Sequence, residues 1–502
     1  MLASSVLLMC PRTKELMDTG NGMSGSARRT PVSADVLERL KAIVGPAGTI
    51  EDPMDIAPYC RAWRGIWVGD APLVLRPGNV EEVAALVRIC AETRTAIVPQ
   101  GGITGLTGAS QPHEDRSEVI ISTQRLKRIR AIDTANDTIT VDSGVILKEI
   151  QQAASDANRL FPLSLGAEGS CQIGGNISTN AGGNQVLRYG NTRALVLGLE
   201  VVLANGEIWN GLRGLRKDNT GYDMKQMFIG AEGTLGIITG ATLRLFPKPT
   251  DVISAYIGVA SPAAAVELLS VLRGKLGESI SAFELLRRAI IDLLLVGVPG
   301  HSDPMPTVHP WYVLMEVGGQ GEPGTLNGPL ADALGAAMEA GLIQDAMITT
   351  SGEQARKLWK MREDLAEAQK SAGGSIAHDI SVPLSRIPEF IEKADAAVGR
   401  AYPGVRHCCF GHVGDGNLHY NPIRPVDWTY ERFHAEYPNM NQIVHDIVVS
   451  LGGSISAEHG IGRLRMEENY RYKSPVEIGM MAAVKKALDP MNIMNPGKVL
   501  RA

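Results

Sequence analysis

The chain has 502 residues, of which 44% are hydrophobic and 21% charged, and this length predicts a globular protein with two or more domains. The formal net charge of −5 provides no basic field for nucleic acid, and no apolar stretch reaches the roughly 20 residues of a membrane span. Residues 1–34 lack a basic segment followed by a full apolar core, so they predict a disordered leader rather than an export signal. With six cysteines and no C-x-x-C pair, we expect a reducing compartment, the cytoplasm.

A glycine-rich loop follows the first buried strand pattern. Residues 80–93 carry apolar side chains at helical spacing, and residues 96–99 read as a strand that leads directly into residues 100–108. Four glycines and two threonines in this loop allow backbone N–H groups to converge on an anion without obstruction by side chains. The loop therefore predicts a pyrophosphate site; a merely flexible connection is the alternative.

Two further glycine-rich segments, residues 174–183 and 230–238, precede a boundary. Between them, residues 195–203 and 207–210 predict a hairpin that turns at Asn205-Gly206. The boundary itself is indicated by the Pro247-Lys248-Pro249 run.

Beyond that boundary, strand and helix patterns alternate, which predicts an α+β region. Residues 282–295 are strongly apolar and read as helical, and residues 352–371 and 475–488 also predict helices.

The stretch that carries most chemistry is residues 410–421, where a Gly-Asp-Gly turn centred on Asp415 interrupts an apolar run. Such a turn predicts a β-hairpin that brings His412 and His419 together on facing strands. Because side chains alternate along a strand, three polar residues then share one face: Asn417, His419 and Asn421.

A carboxylate and a further imidazole follow at Glu458 and His459. Together with the hairpin they offer two imidazoles, one carboxylate and a spare base. This donor set suits a divalent transition metal with open positions for a substrate. Isolated structural or surface histidines are the alternative interpretation.

These motifs carry a family resemblance. The three glycine-rich segments and the Asn495-Pro496-Gly497-Lys498 tail resemble the vanillyl-alcohol-oxidase-type FAD flavoproteins. The Gly-His-x-Gly-Asp-Gly-Asn-x-His and Ser-x-Glu-His-Gly motifs are similar to those of the FAD-dependent D-2-hydroxyacid dehydrogenases, the branch of D-lactate, D-2-hydroxyglutarate and glycolate dehydrogenases.

The resemblance implies an α+β fold in three parts after the leader. A two-part α/β FAD-binding domain of the PCMH type would span residues 35–249. An α+β substrate cap that carries the metal site would span residues 250–474, and residues 475–502 would return to the FAD domain.

The resemblance also implies the cofactor contacts. FAD would be held by backbone and side-chain groups of Pro99, Gly101, Gly102, Thr104, Gly105, Leu106, Thr107, Pro162, Gly166, Gly174, Gly175, Asn176, Thr179, Gly183, Tyr189, Gly190, Glu232, Gly233, Ile237, Ile238 and Asn495. Members that attach FAD covalently place a histidine in the first loop, where this chain has Ile103, so we expect non-covalent FAD. Many relatives have asparagine at this position.

In this branch the residues matching His412, His419 and Glu458 bind a divalent metal, usually zinc, and the residue matching His459 is the catalytic base. The metal lowers the pKa of the substrate hydroxyl, the base takes its proton, and hydride passes to flavin N5. Arg362 matches the arginine that clamps the substrate carboxylate.

Further substrate contacts are expected from the hairpin and from its neighbourhood: Asn417, Asn421 and His378. Enzymes specific for D-2-hydroxyglutarate carry a threonine and a lysine where this chain has Ala366 and Ala377. A second carboxylate would lose two partners, so D-lactate or a similar acid is favoured, with D-2-hydroxyglutarate as the alternative; His378 could replace the lysine.

Other functions stay open at this point. A glycolate oxidase-type flavin subunit would work only in a complex, a non-redox FAD enzyme would resemble the alkyl-glycerone-phosphate synthases, and a metallohydrolase would leave the glycine-rich segments unexplained. We expect a homodimer, and an electron acceptor that is a quinone, a cytochrome or an electron-transfer flavoprotein, because no nicotinamide site is visible.

Overall fold

The structure is a computed structural model that describes residues 30–63 and 65–502. Most of the predicted leader lies outside these residues. The strands are β1 (Thr49–Ile50), β2 (Val74–Leu75), β3 (Ala96–Gln100), β4 (Glu118–Ser122), β5 (Ile129–Asp133), β6 (Thr138–Asp142), β7 (Arg159–Leu160), β8 (Val196–Val202), β9 (Ile208–Gly211), β10 (Ile237–Arg244), β11 (Phe246–Pro247), β12 (Asp251–Val259), β13 (Ile280–Arg287), β14 (Trp311–Gly319), β15 (Asp345–Ile348), β16 (His378–Ser381), β17 (Cys409–Gly411) and β18 (Asn417–Tyr420).

The helices are α1 (Ala34–Gly48), α2 (Pro53–Cys60), α3 (Val80–Thr93), α4 (Leu147–Asp156), α5 (Ile173–Ser178), α6 (Val186–Tyr189), α7 (Thr192–Leu195), α8 (Lys225–Phe228), α9 (Pro262–Leu276), α10 (Arg288–Gly297), α11 (Asn327–Glu339), α12 (Gly352–Glu363), α13 (Leu365–Ser371), α14 (Ile387–Ala401), α15 (Tyr430–Ala435), α16 (Tyr437–Ser450), α17 (Met466–Tyr472) and α18 (Pro475–Leu488). Among the described residues, none of these helices is long and apolar enough to cross a membrane.

The first half of the chain forms two sheets. In the first, of order β1-β2-β4-β3, the strands β2, β4 and β3 run parallel and pack against α1 and α3. The side chain of Asn79 caps α3 by accepting the N–H of Glu82, and Arg94 ends this helix in the left-handed conformation. The C-terminal segment lies beside β3, where the N–H of Asn495 donates to the carbonyl of Ile97.

The second sheet is antiparallel, with the order β5-β6-β10-β8-β9. Its buried face contacts α4 and α5, and α5 forms the first part of the second glycine-rich segment. The predicted hairpin at Asn205-Gly206 is confirmed, since β8 pairs with β9 and Gly206 has a φ of 79°.

The second half forms one antiparallel sheet of order β15-β12-β14-β13-β17-β18-β16. One face of this sheet is covered by α9, α11, α14 and α16, and the other by α10, α12 and α13. Alternating residues along β13, β16 and β18 therefore face two different layers, and the layer formed with α12 and α13 contains the candidate site.

Two predicted helices differ from the structure. Residues 282–295 divide into strand β13 and helix α10, because β13 is buried on both faces and its continuous apolar run has no period of two. The helix predicted over residues 352–371 breaks at Asp364 into α12 and α13. The predicted limits of the three parts of the chain stay a prediction.

Candidate active site

An open cavity lies between the glycine-rich segments. Most of the predicted cofactor contacts line it: Pro99, Gly101, Gly102, Thr104, Gly105, Thr107, Gly174, Gly175, Asn176, Thr179, Glu232, Gly233, Ile237 and Ile238.

The walls of this cavity suit an extended polar cofactor. A Cβ atom at Gly105 or Gly175 would meet open space, whereas a Cβ at Gly102 would lie 2.2 Å from the carbonyl oxygen of Ser170. The side-chain oxygen Oδ1 of Asn176 is buried and has no hydrogen-bond partner among the described residues. A bound hydroxyl or amide would satisfy this acceptor, so the residues present fit FAD.

The remaining predicted cofactor residues are not among those lining the cavity: Leu106, Pro162, Gly166, Gly183, Tyr189, Gly190 and Asn495. The ring of Tyr189 packs edge-on against Phe246 at 4.7 Å between centroids. Asn495 holds two loops together, because its Nδ2 donates to the carbonyls of Ala109 and Glu232. Contacts of these residues with FAD stay a prediction.

The predicted histidine hairpin is present in the second half of the chain. β17 pairs with β18, residues 413–415 form a single 3-10 turn, and Gly416 closes the turn with a φ of 90°. The ring centroids of His412 and His419 are 5.7 Å apart.

Glu458 completes a cluster with this hairpin. One ligand atom from each of His412, His419 and Glu458 lies within 4.8 Å of the others, and the Nε2 of His412 is 3.9 Å from the Oε1 of Glu458. Two imidazoles and one carboxylate at this spacing are a donor set for a divalent cation. The predicted metal ligands are therefore brought together.

Asp379, on β16, organises the segment that carries the proposed base. Its Oδ2 accepts the backbone N–H groups of Glu458 and His459 at 2.9 and 3.0 Å, and lies 3.3 Å from the Nδ1 of His459. Its Oδ1 accepts the Nδ2 of Asn417 at 2.9 Å. A carboxylate beside Nδ1 fixes the proton there and leaves Nε2 of His459 as the basic nitrogen.

Glu284, on β13, contacts the cluster through His412 and is fully buried. One carboxylate oxygen accepts the Nε of Arg362 at 2.6 Å, and the other is bonded to the Nδ1 of His412. The guanidinium of Arg362 also lies over the ring of Phe410, 4.9 Å from its centroid. Among the described residues, the Nη groups of Arg362 make no hydrogen bond, so they stay available for a carboxylate.

The cluster contacts the second glycine-rich segment, part of which lines the cavity. The Oε1 of Glu458 lies 2.3 Å from the position that a Cβ of Gly182 would occupy. The carboxylate of Glu232, in the cavity wall, accepts the N–H groups of Ile461 and Gly462 at 2.8 and 2.9 Å. The segment after His459 is thus attached to the cavity wall, and a substrate at the cluster would adjoin a bound cofactor.

Comparison with known proteins agrees with this geometry. Residues 71–211 match the FAD binding domain family, and residues 248–499 match the C-terminal domain of the FAD linked oxidases. The chain is 38% identical over 471 residues to the mitochondrial D-2-hydroxyglutarate dehydrogenase of Bos taurus, which covers 93% of this chain and 84% of that protein. It is 35% identical over 473 residues to the D-2-hydroxyglutarate dehydrogenase of Stutzerimonas stutzeri (strain A1501), covering 93% and 99%. The chain belongs to the FAD-linked D-2-hydroxyacid dehydrogenases.

Solved structures show the fold of this dehydrogenase. Chains described as p-cresol methylhydroxylase with substrate bound and as alkyldihydroxyacetonephosphate synthase superpose with TM-scores of 0.71 and 0.69 at 18% and 16% identity. Each covers 94% of this chain, and 99% and 86% of its own chain is matched. The predicted α+β fold class with a PCMH-type FAD-binding part is therefore confirmed.

Ionisation in the dehydrogenase's cluster is set by burial and by close charges. Burial raises the pKa of Glu458 to about 7, although His412 opposes the shift, and burial lowers the pKa of His419 to about 3. Burial alone would lower the pKa of His412, but the Glu284 carboxylate outweighs it and raises this pKa to about 9. Burial likewise opposes ionisation of Asp379, yet His459, His419 and two N–H donors hold its pKa well below the ordinary value.

His378 is the predicted site residue that the structure places elsewhere. It is 1% exposed, its Nδ1 lies 2.8 Å from the carbonyl of Tyr420, and its ring packs against His445 on α16. Residues alternate along β16, so His378 faces the layer opposite to Asp379. A contact between His378 and the substrate stays a prediction, and burial on the other face of the sheet separates this side chain from the cluster.

Asn417 and Asn421 lie on the site face, but their side chains are already engaged. Asn417 bonds to Asp379, and Asn421 accepts the N–H of His378 and donates to Gln369. Substrate contacts by these two residues stay a prediction. The sequence analysis did not single out Glu284, because its strand was predicted to be helical. It did not single out Asp379 either, because an acidic residue after a histidine forms no recognisable motif.

Proposed function

We propose that this dehydrogenase oxidises a D-2-hydroxy acid with a short uncharged side chain, such as D-lactate, to the 2-oxo acid, using non-covalent FAD and a divalent metal. The supporting observation is the joint placement of an available guanidinium, a two-imidazole and carboxylate cluster and a carboxylate-oriented imidazole at the edge of the glycine-lined cavity. Each group matches one requirement of removing a hydride from a carbon that carries a hydroxyl and a carboxylate.

Arg362 would bind the substrate carboxylate. Its Nε is occupied by Glu284, and the two Nη groups form a fork that suits a carboxylate bidentately. The side chain is only 11% exposed, so water competes weakly for this interaction.

The metal would be held by His412, His419 and Glu458, and two imidazoles with one carboxylate are a donor set that suits zinc. A bound divalent cation supplies Lewis-acid polarisation of the substrate hydroxyl, and bound FAD supplies the acceptor for the hydride. The neutral imidazole of His419 can bind a cation directly. If His412 or Glu458 is protonated, it must release that proton when the cation binds.

His459 would take the hydroxyl proton at Nε2. Its Nδ1 faces Asp379, whose charge stabilises the imidazolium that forms. The backbone N–H of His459 is held by the same carboxylate, so the base and its partner move as one unit.

The surroundings of Arg362 favour a small uncharged substrate side chain. Ala366 is exposed one turn beyond Arg362, and Ala377 shares the face of Asp379; neither offers a donor to a second carboxylate.

D-2-hydroxyglutarate is the second candidate, because the similar relatives carry that name at 35 to 38% identity. The side chain of D-2-hydroxyglutarate is longer than that of D-lactate by one carboxymethyl group, so the affinities for the two acids distinguish the candidates. The onward acceptor is proposed to be a quinone, a cytochrome or an electron-transfer flavoprotein.

Anaerobic bleaching of the flavin in the purified protein tests the proposal. D-lactate, D-2-hydroxyglutarate, glycolate and, as the stereochemical control, L-lactate are added before chelation, after EDTA, and after return of zinc. Bleaching by D-lactate that EDTA abolishes and zinc restores is expected. Preferential bleaching by D-2-hydroxyglutarate selects the second candidate, and a flavin that no D-acid bleaches contradicts the proposal.

A further inference from the structure

One buried carboxylate joins two functional side chains that the sequence places far apart. Glu284 is 0% exposed on the central strand β13, and it contacts Arg362 from α12 and His412 from the hairpin. No other carboxylate in the described part of the chain contacts both. The position of the substrate clamp and that of a metal ligand therefore depend on the same side chain.

Both partners of Glu284 present N–H donors to it. The Nε of Arg362 always carries a proton, since a guanidinium has no acceptor. The Nδ1 of His412 must carry its proton toward the carboxylate, which leaves the lone pair on Nε2. Nε2 is the nitrogen that lies 3.9 Å from the Oε1 of Glu458.

We propose that Glu284 is a positioning residue with two roles: it holds His412 in the tautomer that can ligate a cation through Nε2, and it holds Arg362 with both Nη groups available for the substrate carboxylate. The inference rests on the proposed function and adds a residue to it. Carboxylates that orient metal-binding histidines commonly change metal affinity about 10- to 100-fold when they are removed.

An amide at this position cannot serve both donors. In Glu284→Gln the carbonyl oxygen stays with Arg362, because that side chain has no alternative to donating. The amide NH2 then faces Nδ1 of His412, which must become an acceptor, and the proton moves to Nε2. The variant therefore separates the two roles.

Two measurements that do not depend on turnover read these roles separately. Zinc affinity is measured by competition with a chromogenic chelator in the absence of substrate. Anion binding is measured on zinc-free holoprotein from the change in flavin absorbance on titration with pyruvate.

For Glu284→Gln we expect zinc affinity to fall 10- to 100-fold and pyruvate affinity to change less than threefold. Glu284→Leu removes both carboxylate oxygens as acceptors, so it should weaken the affinity for zinc and the affinity for pyruvate. The control is Glu316→Gln. Glu316 is a half-buried carboxylate on the neighbouring strand β14, it accepts hydrogen bonds from Ser281 and Gln185, and its replacement should change neither affinity.

Wild-type zinc affinity in Glu284→Gln, or unchanged pyruvate affinity in a folded Glu284→Leu, overturns the inference. If Glu284→Leu does not retain FAD, the zinc affinity of Glu284→Gln alone decides the tautomer role. A wild-type protein that binds no zinc contradicts the metal in the proposed function instead, so the two failures are distinguishable.

Discussion

At the residue scale, the buried carboxylate of Asp379 connects the hairpin to the segment that contains Glu458 and His459. It is 2% exposed and accepts hydrogen bonds from Asn417 and from two consecutive backbone N–H groups, while its Oδ2 faces the Nδ1 of His459. The charge is compensated by these donors, which is why burial does not neutralise it. The residue both shapes the 458–459 segment and orients the proposed base.

Asp379→Asn should lower kcat by about 10²- to 10⁴-fold, the range typical of losing an oriented general base. The physical reason is that an amide can present its NH2 group to Nδ1 and reverse the tautomer of His459. Stopped-flow reduction of the flavin by the substrate, with KM and FAD content recorded in parallel, measures the effect.

The control is an Asp–His pair outside the cluster. Asp395 lies 3.1 Å from the Nδ1 of His407 and is also bonded to Tyr420 and Arg287. Asp395→Asn should lower stability and leave the rate of flavin reduction unchanged. Equal rate losses in both variants would show that Asp379 has a structural role only.

At the scale of elements, the loop after β3 contains a strained residue. Ile103 has a φ of 59°, in the left-handed region that β-branched side chains rarely adopt. The loop keeps this conformation because it is tied at both ends: Gly102 lies against the backbone of Ser170, and the carbonyl of Thr107 accepts the N–H groups of Arg463 and Leu464. Such strain is common at ligand sites.

Ile103→Asn should stabilise the protein by about 1 kcal/mol, because asparagine tolerates this backbone conformation better than isoleucine does. Thermal unfolding of the FAD-free protein measures this gain in stability. Ile103→Val, which stays β-branched, should bring no gain. If the unfolding midpoint rises equally in both variants, or in neither, the backbone of Ile103 is not strained by its side chain.

At the scale of the whole molecule, the C-terminus is attached to the first sheet by a buried ion pair. The Nζ of Lys498 lies 3.1 Å from the Oε1 of Glu118, and both side chains are at most 2% exposed. Burial alone would raise the pKa of Glu118, but Lys498 and His113 outweigh it and lower this pKa from 4.5 to about 2.

The sign of the pH dependence follows from that shift. A carboxyl whose pKa is lower in the folded state contributes stability above the unfolded pKa and loses it as the pH falls from about 4.5 to 2. Lys498→Met should therefore cost about 3 kcal/mol at neutral pH, and the deficit should shrink on acidification.

Thermal unfolding midpoints, measured from pH 7 downward, report this deficit. The control is the double variant Glu118→Gln/Lys498→Met, which removes the buried Glu118 charge that Lys498→Met leaves uncompensated. The double variant should recover part of the loss. A deficit independent of pH would mean that Lys498 acts through packing rather than charge.

The motifs that depend on neighbouring residues could be predicted from the amino-acid sequence. The Gly-Asp-Gly turn predicts the hairpin that brings His412 and His419 together, and the loop at 100–108 predicts a pyrophosphate site, because both follow from local backbone geometry. The donor chemistry of two imidazoles, a carboxylate and a spare base pointed to Glu458 and His459, and family resemblance assigned their roles and added Arg362.

The contacts between distant carboxylates and imidazoles could not be predicted from the sequence, because they depend on the three-dimensional fold. Glu284 contacts His412 across 128 positions of the sequence, and Asp379 contacts His459 across 80. These pairs arise from the order of strands in the seven-stranded sheet, which local periodicity does not specify. The same alternation that places Asp379 in the site turns His378 away from it, because neighbouring residues of a strand face opposite layers.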